Sequence, residues 1–505
     1  MTLSPSRNGA LWALAFLTAL GAAMRFASLD VQSFHHDEVI TAMRVLPGSL
    51  GDVMHAVKSS ESNPPLYYVL AWGWVKAFGS DEVGLRALSA LFGTATVPLA
   101  YCIGVELAHR RAGLIAAALV ALSPMLIWYS QEARSYALLV FFCAASLLFF
   151  ARALRTRSGG DLALWALVSA LALCSHYFAS FAVGIEALWL LIALRARWRV
   201  VLPALAAVAA VGLALVPLIS AQVNPTHIGW IEESLLSTRF LETSVSFLVG
   251  ETGHVIAEPP RERYALLPAI LFGASLLLLA VRGTPRERRG GLIGLVLGLG
   301  VAALTLAAAL LGKDYVVERN LLPALLPLAA AASIGFAVDR ARRLGLLLAL
   351  ALCAYWLAFD VHVTQTPNLQ RPDFRGITEE LGPPRGPRAI VTWKLAADPV
   401  RLYLDDGSQR IYSGDWPLRT IDVISKSLEG RAVTGVPSVF HPVARVRFER
   451  LTLTRYMANR VHEIPFYALK RVHTGFGFNA VVVDGPGAGR GARLTRSVGP
   501  RERQP

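Results

Sequence analysis

The chain has 505 residues, 54% of them hydrophobic and only 17% charged, with a formal net charge of +14. Soluble proteins carry about 25% charged residues, so a soluble enzyme, a disordered chain and a disulfide scaffold are all excluded. The arginines mostly punctuate hydrophobic blocks, which is the pattern of topology determinants and not of a nucleic-acid surface.

A membrane span needs about 20 mainly apolar residues. Eleven blocks qualify, at residues 9–29, 84–107, 112–128, 135–153, 162–177, 179–194, 200–221, 264–281, 290–311, 321–338 and 344–363. Residues 1–29 also have the outline of a signal peptide, but the apolar run is long for one and reads as a retained first span. The block PPLYYVLAWGWVKAF at 64–78 is short and rich in aromatics, with Lys76, so it reads as an interfacial helix. With that block outside the count and the N-terminus in the cytoplasm, all five Arg-rich loops (109–111, 152–160, 195–199, 282–289, 339–343) face inward. The expected fold is therefore mainly α: a polytopic bundle of about eleven spans at 1–363. A soluble α/β domain follows at 364–484 and a disordered Gly/Arg-rich tail at 485–505. Cys102, Cys143, Cys174 and Cys353 are isolated within hydrophobic blocks and predict neither disulfide nor metal site.

The outer face is then built from loops 30–83, 129–134, 222–263 and 312–320, the turn at 175–178, and the tail. Loop 222–263 reads as a cover hinged at Gly229, Gly250 and Gly253. In the tail, 389–393, 400–404, 443–453 and 478–483 read as strands, with a turn at Asp405-Asp406-Gly407, and 374–381 as a helix.

Polar residues collect on this outer side. Loop 30–83 opens with Phe34-His35-His36-Asp37-Glu38, where paired carboxylates can serve as a general base, hold a divalent cation, or simply start a helix. Next comes Glu61-Ser62-Asn63-Pro64-Pro65-Leu66-Tyr67-Tyr68, a helix start with aromatic anchors or a pocket wall. In Tyr129-Ser130-Gln131-Glu132-Ala133-Arg134, an outer arginine runs against the charge rule and calls for a partner, either Glu132 or an anionic ligand. His176-Tyr177 and the Lys313–Asn320 stretch, with Arg319, complete the set. Among the spans, Glu186 is the main interior charge.

Taken in order, Asp37-Glu38, Asn63-Pro64-Pro65-Leu66-Tyr67-Tyr68, GLRALSALFGTATVPLAY at 84–101, SPMLIWYSQEARSYALL from Ser123 and ERNLLPALLPLAA from Glu318 resemble the polyprenyl-phosphate-sugar glycosyltransferases of the GT-C fold. Within them the chain is most similar to the protein O-mannosyltransferase and aminoarabinose transferase-like group of bacteria, over residues 9–363. The resemblance implies a multi-pass protein of the bacterial cytoplasmic (inner) membrane, with its active site and tail extracytoplasmic. It implies transfer of a sugar from a polyprenyl-phosphate donor to a lipid, glycan or protein acceptor by inverting displacement. By similarity, Asp37 deprotonates or orients the acceptor, or joins Glu38 in holding a divalent cation where members use one. Residues 63–66 line the pocket near the carrier phosphate, Arg134 faces that phosphate and Arg319 is a second cation there; His36, Tyr67, Tyr129, Glu132, His176 and Tyr177 complete the expected substrate contacts. The chain departs from the group at Asn63, where a His or Lys is usual, which shifts the cationic role to Arg134, Arg319 or a metal. The competing reading is a transporter or flippase for a lipid-linked sugar, which would place its ionisable groups near mid-membrane. The motifs leave the sugar and the acceptor open.

Overall fold

The computed structural model describes residues 7–223, 231, 234–251, 262–404, 407–426, 433–474 and 479–485. The chain forms two compact units: Met1–Val31 with Thr41–Leu369, and Gln32–Ile40 with Gln370–Pro505. The short segment 32–40 thus leaves the first unit and belongs to the tail's unit.

The first unit is a multi-pass helical body, and each of the eleven expected blocks lies in helix. Among the described residues, eight helices are long and apolar enough to cross a membrane: Arg7–Phe26, Glu82–Leu107, Tyr136–Thr156, Trp198–Gln222, Glu262–Arg282, Pro285–Leu310, Glu318–Phe336 (whose first turns are 3-10) and Arg342–Gln365. The pair Arg110–Leu122 and Pro124–Ser130 has the length and apolarity of a span when taken together, and is bent by 56°. The remaining two, Gly159–Ser175 and Ala179–Ala193, have 17 and 15 residues and reach about 25 and 22 Å. The interfacial block forms a 13-residue helix, Leu66–Phe78, started by Pro65.

The bend has a local cause. Pro124 has no N–H, so the carbonyl of Val120 loses its helical donor. Arg25, fully buried in the first helix, fills the gap. Its guanidinium donates to Val120 O (2.9 Å), Ala121 O and Gly21 O (both 3.0 Å), and its Nε donates to Ser130 Oγ (3.1 Å). Gln131 extends the lock by donating to Met24 O, Arg25 O and Ser28 Oγ. Arg25 and a buried Asp360 in Arg342–Gln365 join Glu186 as charges inside span helices, so the interior is less neutral than the sequence reading held.

Helix Pro285–Leu310 begins with a capping box between Thr284 and Glu287 and carries Gly290, Gly294 and Gly298 one turn apart on one face. A Cβ at Gly290 would collide with Leu107 O, and one at Gly294 with Pro327 O, so this stripe lets neighbouring backbones approach closely. At the end of the bundle formed by the Arg-rich loops, Glu287 Oε1 accepts from His109 Nε2 (3.1 Å) and Asp339 N (3.0 Å), while Arg111 pairs with Asp339.

The second unit is built on a mixed six-stranded sheet of order β2-β6-β1-β3-β5-β4, with β1 (Arg388–Trp393), β2 (Gln409–Ile411), β3 (Asp415–Lys426), β4 (His441–Phe448), β5 (Leu451–Pro465) and β6 (Asn479–Asp484). Only β1 and β3 pair in parallel among these strands. β1 is buried along its whole length because apolar layers cover both faces. Helix Phe374–Leu381 forms as expected, capped by Asp373. Two tail readings are corrected. Residues 400–404 are not a strand: Ala397–Leu402 is a helix, with Pro399 in its first turn where the missing N–H costs nothing. Residues 443–453 are not one strand but the turn of the β4–β5 hairpin, broken at Glu449 with φ 49°. The turn residues Asp405 and Asp406, and the tail beyond Gly485, lie outside the described residues. So do Gly229 and Gly253; Gly250 ends helix Leu236–Val249 with φ 73° and packs on the Pro124 backbone, a fixed cap.

Substituting Gly294→Val should lower the thermal unfolding midpoint in detergent, at a cost of about 1–3 kcal/mol from overpacking. An unchanged midpoint would show that the helices do not meet at this stripe.

Candidate active site

Within the first unit, hydrogen bonds and ring contacts link the motifs at 61–68, 129–136, 176–177 and 318. Arg134 lies just after the broken span and its fork grips Glu61 in bidentate fashion, Nη1 to Oε1 at 2.9 Å and Nη2 to Oε2 at 2.8 Å. Tyr68 donates its hydroxyl to Glu61 Oε2 at 2.7 Å, and burial raises that phenol far above its usual range, so it keeps the proton it donates. Arg134 also donates to Thr41 Oγ1 (3.3 Å), which begins a single π-helical turn, Thr41–Val45. The expected choice between Glu132 and a ligand therefore has a third answer in Glu61, a residue that opens the second motif.

The neighbouring groups frame the same region. Asn63 and Pro64 are buried, and Tyr67 packs edge-on to Tyr68 at 5.5 Å. Gln222, at the end of helix Trp198–Gln222, donates to Asn63 O and Val57 O and accepts from the Tyr177 hydroxyl at 2.6 Å. Asn63 thus contributes its backbone to a fixed wall. Tyr129 packs edge-on with Tyr136 and donates to Glu318 (3.3 Å). His176 sits beside Tyr136 and Phe178, its Nδ1 accepting from Phe178 N. Burial, reinforced by Arg134 and Arg319, pushes His176 down to about 3, so it is a neutral wall residue. Loop 313–320 is held by Arg239, whose fork grips Asp314 (2.7 and 2.5 Å) and keeps that carboxyl below the usual range. Arg319, half-buried, sits in the first 3-10 turn of Glu318–Phe336, directly after this braced stretch.

Asp37 and Glu38 lie in the second unit, on the one-turn helix His36–Ile40. Glu38 is fully buried, accepts from His35 N (2.9 Å) and pairs with Arg371 at 3.4 Å; Asp37 and His36 are half-buried. The two carboxylates differ in setting: Glu38 closes the helical turn and pairs with a guanidinium, while Asp37 is half-buried. A cation held by both fits poorly, because Glu38 is already committed to a backbone N–H and to Arg371. No mechanistic step is drawn through a metal. Among the described residues, one trio has metal-like spacing, His109, Glu287 and Asp339. There His109 Nδ1 accepts from Ala112 N, so its Nε2 carries the proton it gives Glu287 and offers no lone pair.

Sequence reasoning missed Glu61, Tyr68, Gln222, Glu318 and Arg371 as partners. Glu61 had a signal: an acid beside Asn63-Pro64-Pro65 in a loop that also needs to satisfy Arg134. Arg371 had none, since its partner lies 333 residues earlier.

Two outcomes follow. Glu61→Ala strands the buried Arg134 guanidinium and should cost about 3–5 kcal/mol, read as a lower unfolding midpoint. The double variant Glu61→Ala with Arg134→Met should cost less than Glu61→Ala alone; if it costs more, the pair is not the source of the loss. His176 has a folded value below its unfolded 6.5, so its contribution is full above pH 6.5 and declines as pH falls toward 3. Stability should drop by about 1.4 kcal/mol per pH unit below 6.5 from this group, and comparison of wild type with His176→Phe at pH 7 and pH 5 should show a shallower decline in the variant.

Comparison with known proteins gives three findings. Residues 62–220 match the family described as dolichyl-phosphate-mannose-protein mannosyltransferase. No curated protein matches the sequence. Among solved structures, apo ArnT from Cupriavidus metallidurans matches with TM-score 0.54 and 13% identity, over 88% of this chain and 98% of that one. The same protein bound to undecaprenyl phosphate gives TM-score 0.49 and 11% identity, over 89% and 98%. The Pmt1-Pmt2 protein O-mannosyltransferase complex of S. cerevisiae gives 0.36 and 21%, over 42% and 33%. The matched segment, less than half of the chain, runs from Ser62 through the wall at 63–68, the Tyr129–Arg134 turn and His176, and the likeness to apo ArnT shows that the chain shares its fold.

Proposed function

We propose that this protein transfers one sugar from a polyprenyl-phosphate donor to an extracytoplasmic acceptor, inverting the anomeric centre. The observation that carries this reading is the match of residues 62–220, whose family description names a dolichyl-phosphate sugar as donor, over the stretch that holds the buried polar cluster. In the proposed reaction the Asp37 carboxylate takes the acceptor O–H proton, the acceptor oxygen bonds to the anomeric carbon, and the bond to the carrier phosphate breaks with its electron pair left on phosphate. One displacement with one base inverts the centre. Arg319 stabilises the departing phosphate, while Arg134, already held by Glu61 and Tyr68, stiffens the wall beside it. The acceptor is a hydroxyl of a lipid, a glycan or a protein.

The protein is proposed to lie in the bacterial inner membrane with its Arg-rich end inside and the site outside, the arrangement the positive-inside rule favours. Of the ionisable groups buried within the spans, Arg25 is tied to neighbouring helices by carbonyls and Glu186 by Ser146 and Trp165, which favours chemistry at the membrane surface over passage through it.

Purified protein in detergent should release free polyprenyl phosphate from one member of a panel of radiolabelled polyprenyl-phosphate sugars, given membrane extract as acceptor. Arg319→Met should lower kcat by roughly 10²–10³-fold, the usual cost of one electrostatic stabiliser, and Asp37→Asn should abolish release. Equal turnover by Asp37→Asn would remove it from the mechanism; tight donor binding with no turnover would restore the flippase reading.

A further inference from the structure

The segment that carries Asp37 is too short to hold itself. A helix of five residues is far below the length at which a helix persists in water. Its order comes from the tail. Arg371 N donates to Gln32 Oε1 (3.2 Å); Phe374 N donates to Ser33 Oγ (2.8 Å), which in turn donates to Pro372 O (3.3 Å); Phe34 N donates to the Tyr403 hydroxyl (2.7 Å). These three consecutive residues are stapled to the cap of helix Phe374–Leu381 and to Tyr403. The fourth anchor is different in kind. Glu38 Oε2 accepts from His35 N and also meets Arg371 Nη1, so one oxygen closes the turn on which Asp37 stands and the guanidinium fixes that oxygen.

We infer that the C-terminal unit is part of the catalytic machinery and that Arg371 is a positioning residue, setting the Asp37 carboxylate through Glu38. The inference rests on the reading of Asp37 as the base. It assigns the tail a task independent of acceptor choice. Arg371 keeps a short, otherwise marginal turn in one geometry, and displacing a catalytic group by about 1 Å costs on the order of 10²-fold in rate. Its planar fork and constant charge suit that task better than a lysine would. Losing Arg371 also leaves the buried Glu38 carboxylate without its countercharge, which by itself loosens the turn.

The test uses the full-length protein in detergent, as wild type, Arg371→Met, Arg371→Lys, Glu38→Gln, the double variant Arg371→Met with Glu38→Gln, and Asp37→Asn. Hydrogen exchange of the amides in residues 33–40 should be at least about tenfold faster in Arg371→Met, because opening of the turn sets that rate, with exchange of β1, β3 and β5 unchanged. On the donor that wild type turns over, Arg371→Met should lose about 100-fold in kcat with KM within about twofold, and Arg371→Lys should recover about tenfold of that loss. The double variant should fall no further than the worse single one, since the two residues act as a unit. Binding of radiolabelled undecaprenyl phosphate should be the same in all variants and serves as the folding control. Arg371→Met with wild-type exchange at 33–40, or with wild-type kcat while Asp37→Asn is inactive, overturns the inference. If wild type turns over no donor, or Asp37→Asn matches it, the reading of Asp37 has failed instead, and exchange at 33–40 alone decides whether Arg371 orders the turn.

Discussion

Backbone amides and carbonyls cannot be left unpaired in hydrocarbon, and the candidate site depends on how the chain meets that constraint at Pro124. A proline one residue into a new helix breaks the third crossing and leaves carbonyls at Val120 and Ala121 without helical donors. A single buried arginine answers both, and the same side chain reaches Ser130 beyond the break. Gln131 then fastens the next residue to the end of the first helix. The turn that presents Tyr129, Glu132 and Arg134 is therefore fixed from below by the membrane body. The rigidity comes from elements that precede the motif by about a hundred residues, and not from the motif itself.

The arginines of the outer end divide by environment. Arg134 and Arg239 are buried and each meets a carboxylate with both ends of its fork, so each is a structural rivet whose charge is largely spent. Arg319 stands half-buried directly after a stretch that one of those rivets holds.

How much of this was legible in the sequence differs by level. The eleven helical segments were legible because 16 to 24 mainly apolar residues have few alternatives in a chain this oily. The motifs at 61–68, 129–134 and 176–177 were legible as polar clusters between apolar blocks, and hydrogen bonds and ring contacts link them within the first unit. Individual partners were not. Arg25 sits in an apolar block and reads there as a defect, until the carbonyls freed by Pro124 explain it. In the tail, Val400–Leu404 is too short for periodicity to separate strand from helix, and only Pro399 hinted at the answer. The 443–453 run hides a hairpin turn because Glu449 and Arg450 carry no glycine, asparagine or proline to mark it.

The partnership between residues 32–40 and the tail has a consequence for how the protein is made. Arg371 follows Glu38 by 333 positions. At synthesis rates of roughly 5–20 residues per second, some tens of seconds pass before the partner exists. During that interval the membrane body can insert and pack, but the acidic turn has nothing to fold upon. On the proposed reading of Asp37 as the base, a chain that stops short of Arg371 has no ordered turn to carry it, so activity waits on synthesis of the tail's unit.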